Sequence, residues 1–166
     1  TPVLFLETGK HFPETLEYVE TLKNKLGLQN IHFLTPDPEL LNRIDSAGNL
    51  WDSNPDRCCW LRKVEPLDRA VKNLGLEALV TGRKRYQNKA RAALPIFELL
   101  DGRIKVNPLA AWGAAEIEAG FKEFQLPQHP LVYDGFKSIG CQPCTTRVAA
   151  GEDVRSGRWA GSEKTE

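Results

Sequence analysis

The first 34 residues constrain the fold of this chain most: two short apolar runs, Val3–Leu6 and Ile31–Leu34, flank a segment of helical period. Leu16, Val19, Leu22 and Leu26 recur three or four residues apart, as one face of an α-helix requires. Pro13 suits the first turn of that helix, and Glu14 and Glu17 favour the positive end of its dipole. Gly27 follows as the C-cap. The second strand ends at Thr35-Pro36-Asp37-Pro38, and a less regular stretch with turn chemistry at Gly48-Asn49 and Ser53-Asn54-Pro55-Asp56 comes next.

The alternation then resumes. Apolar positions 61, 64, 67, 71 and 74 predict a second amphipathic helix, in which Pro66 is tolerated only near the first turn. Leu76–Val80 reads as a strand, Ile96–Leu100 and Arg103–Val106 as a hairpin turning at Asp101-Gly102, and Ala114–Phe124 as a short helix. A loop-rich tail runs from Leu126. Strands and helices alternating through short connections predict a single α/β domain with a mostly parallel sheet flanked by helices.

Composition excludes several classes. Among 166 residues, 22 Lys and Arg balance 22 Asp and Glu, so no broad positive field suits a nucleic-acid polymer. No apolar run approaches the ~20 residues of a membrane span. The sequence has no methionine, and its first residues enter a strand with no signal-peptide pattern. A natural start upstream of Thr1 is therefore expected.

The four cysteines fall in two tight pairs, Cys58-Cys59 and Cys141-Gln142-Pro143-Cys144. Close pairs from two segments are a common way of presenting thiolates to one metal centre. Disulfides and a redox dithiol are the alternatives, but there is no secretory signal, and this CxxC sits in a Gly/Pro-rich loop and not at a helix start. Structural zinc is the stronger competitor. Directly adjacent cysteines are awkward for tetrahedral zinc, whereas an iron–sulfur cubane accepts ligands at separate corners. Lys63, four residues past Cys59, would add a positive charge beside the sulfurs.

Local charge is uneven despite the neutral total. Between Arg83 and Arg91 five of nine residues are cationic and none acidic, and the run follows Thr81-Gly82 at the end of a predicted strand, where open α/β sheets bind ligands. Arginines there suit a phosphate or sulfate, and a solvated basic loop is the plain alternative. Arg155 and Arg158 flank Ser156-Gly157 beside Trp159 and could fold over an anion as a lid or form a loose end. His11, His32 and His129 show no ligand or triad spacing. Trp51, Trp60 and Trp112 are expected in the core or over a cluster.

These motifs together resemble the assimilatory adenylylsulfate and phosphoadenylylsulfate reductases over nearly the whole chain. The resemblance is carried by Glu7-Thr8-Gly9-Lys10-His11-Phe12-Pro13-Glu14-Thr15, by Cys58-Cys59-Trp60-Leu61-Arg62-Lys63-Val64-Glu65-Pro66-Leu67, and by Thr81-Gly82 with Arg85, Gln87 and Arg91. It continues through His129-Pro130-Leu131, Gly135-Phe136-Lys137-Ser138-Ile139-Gly140-Cys141-Gln142-Pro143-Cys144-Thr145 and Gly157-Arg158-Trp159. The two cysteine pairs look like the branch that carries a 4Fe–4S cluster and prefers adenylylsulfate. Glu7, Tyr86 and Asn88 depart from the residues usual in the family.

The resemblance implies an adenine-nucleotide α-hydrolase-like, Rossmann-like fold. It implies that Cys58, Cys59, Cys141 and Cys144 hold the cluster, with zinc as the alternative occupant, and that Lys63 lies between cluster and substrate sulfate. Thr8, Gly9, Gly82, Arg85 and Arg91 would face the nucleotide, and Arg155 and Arg158 would grip the phosphosulfate from a mobile tail over residues 152–166. The implied reaction is reductive: a cysteine thiolate attacks the substrate sulfur, AMP leaves, and thioredoxin or a glutaredoxin-like dithiol releases sulfite from the S-sulfocysteine. The family nucleophile lies in a Glu-Cys-Gly motif expected after Glu166, and the Ser/Gly-rich phosphate loop is expected before Thr1, so these residues alone are not expected to turn over. A cytoplasmic location is implied, with no membrane or nucleic-acid partner. A reductase of the 3′-phosphorylated substrate, or of both substrates, and a non-catalytic iron–sulfur or zinc module of the same fold are the alternatives.

Overall fold

The computed structural model describes residues 1–100, 102–162 and 164. Asp101 of the expected hairpin turn and residues 163, 165 and 166 of the expected tail lie outside the described residues. Strand β1 (Val3–Leu6) leads into helix α1 (Pro13–Leu26), which ends at Gly27 with φ 61° and returns to strand β2 (Ile31–Leu34). β1 and β2 pair in parallel from Val3 opposite Ile31 to Leu6 opposite Leu34. The left-handed backbone at Gly27 is the one that a side chain would strain.

The stretch read as irregular is helical. It forms α2 (Pro38–Ile44), the single turn α3 (Leu50–Ser53) and α4 (Pro55–Cys59). Each hydrophobic run there is too short to show a period, so the signal lay in the caps instead. Asp37 Oδ1 accepts from the Glu39 and Leu40 amides, and Asn54 Oδ1 accepts from the Arg57 amide, each just before a proline at the first helical turn. A π-helical turn, Trp60–Val64, joins α4 to α5 (Glu65–Asn73) without a break, and buries Leu61 and Arg62.

Strand β3 (Ala78–Val80) pairs in parallel with β5 (Arg103–Val106), which pairs antiparallel with β4 (Phe97–Leu100). Helix α6 (Ala114–Glu123) follows. The α/β class is as expected, with the sheet in two pieces: parallel β1–β2, and β3-β5-β4. An apolar cleft of about 470 Å³ lined by Val3, Leu4, Leu6, Leu67 and Val80 lies between β1 and β3. No helix among the described residues is long and apolar enough to cross a membrane.

The loop-rich end of the chain is pinned to the helical layer. Phe12, at the start of α1, packs edge-on against Phe136 with ring centroids 5.5 Å apart, and Leu131 completes that buried cluster. The tail lies along the CxxC loop: Thr145 bridges Arg158, the Thr146 amide donates to Gly157 O at 2.8 Å, and the Trp159 amide donates to Cys144 O at 3.0 Å. These bonds bring the two cysteine pairs, the turn after β1 and the tail arginines to one end of the molecule.

Candidate functional site

The first cysteine pair ends α4, and the second sits in an extended corner that enters a 3₁₀ turn over Gln142–Cys144. The two segments meet through the turn after β1. His11 bridges Cys141, the Gln142 amide donates to Lys10 O at 2.7 Å, and the Thr8 hydroxyl lies 3.3 Å from Cys141 Sγ. All four cysteines are free, with Cys58 and Cys141 buried.

The thiols lie within one another's electrostatic field. Burial pushes Cys58 up to about 11, with Cys59 and Cys141 adding to the rise and Arg62 opposing it. Burial also raises Cys144, helped by Cys141 and Cys59 and opposed by Lys63 and Arg158. Cys58 and Cys144 thus resist ionisation as free thiols, and a bound metal centre would have to draw off their protons. As they stand, no three His, Cys, Asp or Glu side chains among the described residues form a group that could hold a single metal ion.

Two neighbouring cations come from the π-helical turn. Its extra residue per turn re-phases the side chains that follow Cys59, as such turns often do at functional sites. Arg62 swings into the interior, where Nη1 donates to Thr8 O at 2.7 Å and Nη2 to Asp45 Oδ2 at 2.5 Å. Lys63, half-buried, acts electrostatically on Cys144. Thr8 is fully buried, its hydroxyl occupied by the Lys10 amide and Cys141, so this member of the predicted nucleotide turn stands beside the sulfurs. Gly9, at φ 67°, receives the side chain of Glu7 on its amide.

The basic run lies beyond β3. Gly82 is open, with no atom within 4 Å of where a side chain would begin. Arg83 forms an ion pair with Glu98 and is not available to a ligand as a bare charge. Arg85 Nε donates to Leu94 O at 2.8 Å, and Arg91 Nη1 to Gln87 Oε1 at 2.6 Å. Burial lowers Lys84, and Arg91 lowers it further. This end of the sheet is organised by Asn107, fully buried, whose amide accepts from Thr81 Oγ1 and Arg83 and donates to Pro95 O and Glu98.

The run and the tail share a cleft of about 520 Å³ whose charged lining is Lys89, Asp153, Arg155, Arg158 and Lys164. Four cations face one carboxylate in that lining, and although Lys164 is also ion-paired with Asp56, the balance suits an anion. Arg158 connects this cleft to the sulfurs. Burial lowers its pKa, Cys141, Cys144 and Cys59 pull the other way, and Arg91 lowers it again.

The structure thus brings Cys58, Cys59, Cys141, Cys144, Lys63, Thr8 and Arg158 together at one centre. Arg155 lies on the adjoining cleft, Arg91 acts electrostatically on Arg158, and Gly82 and Arg85 lie on the approach from β3. Arg62, Asp45, Asn107 and Trp159 were not singled out from sequence. The first three carry no local pattern, since their partners lie far along the chain. Trp159 is the buried tryptophan, whereas Trp60 and Trp112, expected in the core or over a cluster, are 43% and 39% exposed and so do not fill the core. A tryptophan flanked by arginines could have signalled a cation-holding ring.

The chain is 52% identical to the adenosine 5′-phosphosulfate reductase of Mesorhizobium japonicum and 50% identical to that of a Chelativorans species, across 99% of its own residues in both. It spans 64% and 66% of the lengths of these two relatives. It superposes on the crystal structure of phosphoadenylyl-sulfate reductase from Candida auris, in a phosphate complex, with a TM-score of 0.73 and 35% identity, covering 88% of this chain and 72% of that one. The sequence model of the phosphoadenosine phosphosulfate reductase domain matches residues 1–147, and the chain belongs to that family.

Proposed function

We propose that this chain forms the cluster-holding and substrate-binding part of an adenylylsulfate reductase of assimilatory sulfate reduction, acting in the cytoplasm. One observation carries the reading: a set of four free cysteines, two of them buried, and a cationic cleft adjoin, with Arg158 acting on both. In this reading Cys58, Cys59, Cys141 and Cys144 hold a 4Fe–4S cluster, and the burial of Cys58 and Cys141, with Arg62, Lys63 and Arg158 close to the set, fits a dense anionic group. When bound, the cluster supplies a fixed charge and a structural cross-link between the two segments, and it does not pass electrons.

The residues of the chain then divide the remaining work. Arg155 and Arg158 neutralise the phosphosulfate, and Lys63 sets a positive charge between the sulfurs and the substrate sulfate. Gly82, Arg85 and Arg91 face the nucleotide, and Thr8 and Gly9 fix the turn that joins the nucleotide side to Cys141. None of the four cysteines is assigned the attack. A thiolate from the Glu-Cys-Gly segment attacks the sulfur, the bond from sulfur to the phosphate oxygen breaks, and AMP departs with its electron pair. A thioredoxin-type dithiol then reduces the S-sulfocysteine, leaving sulfite, the free thiol and an oxidised disulfide.

The test uses the complete polypeptide purified without oxygen, with adenylylsulfate and reduced thioredoxin. Sulfite and AMP in equal amounts, from a brown protein containing iron and acid-labile sulfide in equal amounts, are the expected result. Turnover of the 3′-phosphorylated substrate in preference would reassign the substrate, a colourless zinc-loaded protein would sink the cluster, and no release of AMP would remove the reductase reading.

A further inference from the structure

Arg158 is held in an unusually confined place. Its guanidinium carbon lies 4.6 Å from the centre of the Trp159 ring. The α-carbon of Gly140 also lies against it, where an added methyl group would overlap the guanidinium carbon and both of its terminal nitrogens. Only glycine leaves that space, and it does so immediately before the ligand candidate Cys141. Arg158 Nε is buried and has no hydrogen-bond partner among the described residues, and Arg158 has no ion pair among them.

Trp159 carries more than this one cation. Arg155 lies 5.4 Å and Lys164 Nζ 5.2 Å from its ring, so three cations share one indole. Each contact is individually modest, about 0.5–2 kcal/mol, and the cations repel one another. The ring itself is held against that repulsion. Trp159 adopts φ 52°, a left-handed backbone that a bulky residue rarely enters, and its amide is tied to Cys144 O. The residue is 9% exposed and also lines a small cleft that includes Cys144. Strain at such a position persists where the surroundings over-determine it.

We infer that Gly140 and Trp159 are positioning residues: together they clamp the Arg158 guanidinium in line with the cysteine set and assemble the tail cations into a preformed receptor for the doubly charged anion. The inference rests on the reading of the cleft as the phosphosulfate site. Preorganisation is its physical content. Cations gathered before the ligand arrives, with Lys164 partly offset by its ion pair to Asp56, lose less side-chain freedom on binding, and the anion's charge offsets the repulsion that remains among them.

The experiment uses the complete polypeptide and two probes, adenylylsulfate and inorganic pyrophosphate, with affinities from equilibrium dialysis and adenosine, which carries no anionic group, as the uncharged control. Trp159→Leu removes the ring, Trp159→Phe keeps an aromatic face, and Gly140→Ala intrudes on the guanidinium. Trp159→Leu is expected to weaken both probes at least tenfold and adenosine less than threefold, and Trp159→Phe to recover most of that loss. Gly140→Ala is expected to repeat the pattern of Trp159→Leu. Unchanged affinities in Trp159→Leu would overturn the clamp. An equal loss for all three ligands that tracks a fall in melting temperature would also overturn it, by reducing Trp159 to a packing role. If the unmodified protein binds pyrophosphate but not adenylylsulfate, the functional reading fails and the clamp is judged on pyrophosphate; binding of neither probe overturns both.

Discussion

The Arg62 guanidinium meets the Asp45 carboxylate at 2.5 Å with both side chains shut away from water, 6% and 1% exposed. The pair ties the loop after α2 to the π-helical turn, and through Nη1 it also holds the Thr8 carbonyl beside the sulfurs. Asp45→Ala leaves Arg62 buried and uncompensated, which is expected to cost about 3–5 kcal/mol in chemical denaturation. The double replacement Asp45→Leu with Arg62→Met should cost clearly less than the two single changes added together, as a double-mutant cycle would register.

The same pair sets an acid limit. Burial pulls the Asp45 pKa upward, but hydrogen bonds from Arg62 and the Leu50 amide, with the charges of Arg62 and Lys10, outweigh it and leave the carboxyl below its ordinary value. A carboxyl depressed in the folded state contributes stability above its unfolded value near 3.8, and loses it as pH falls through the folded value. Asp45→Asn should therefore flatten the stability profile below about pH 4.

His129 sets a second, milder limit. Its Nδ1 accepts from the Leu131 amide at 3.2 Å and its Nε2 lies 3.0 Å from the Thr15 hydroxyl, an arrangement that needs the neutral ring. Burial lowers its pKa from 6.5, with the Glu14 charge pulling the other way. Below 6.5 the unfolded chain takes up a proton that the folded chain refuses, so stability falls as pH drops from 6.5 toward the folded value. Denaturation midpoints at pH 7.5 and 5.5 should differ more in the unmodified protein than in His129→Gln.

The parts legible in the sequence were those written over short distances. β1, α1 with its Gly27 cap, β2 and α6 follow from period and caps, and the pairing of Cys58-Cys59 with the CxxC loop from spacing and chemistry. The short helices α2 to α4 escaped, because seven, four and five residues cannot display a helical period. Arg62 escaped because one extra residue in the π-helical turn decides whether it faces in or out, and no local propensity encodes that turn. Arg83 read as a free cation until the antiparallel pairing of β4 with β5 placed Glu98 against it. Trp159 and Gly140 belong to contacts closed only when the tail folds back on the CxxC loop.

Gly157 is where that return is most exposed to damage. A methyl group there would overlap the Thr146 carbonyl oxygen and come 2.9 Å from a Val148 methyl carbon. The obstacle is backbone, so the strand-like contact between Thr146 and Gly157 must give way. Gly157→Ala is expected to cost about 1–3 kcal/mol in stability, and to speed hydrogen exchange at the Thr146 and Trp159 amides while leaving the α1 amides protected.

Lys63 separates electrostatic from structural roles at the centre. It acts on Cys144 from the π-helical turn, and no ion pair among the described residues holds it. Removing its charge should therefore leave the fold nearly intact while weakening the field at the substrate sulfate. Lys63→Ala in the complete polypeptide is expected to lower kcat/KM at least tenfold, about 1.4 kcal/mol of transition-state stabilisation, with the visible spectrum and melting temperature kept. Lys63→Arg retains the charge and should recover part of the loss. Partial, not full, recovery is expected because the planar guanidinium spreads its charge over a wider fork than the compact ammonium. Unchanged kinetics in Lys63→Ala would show that Arg158 alone couples the cleft to the sulfurs.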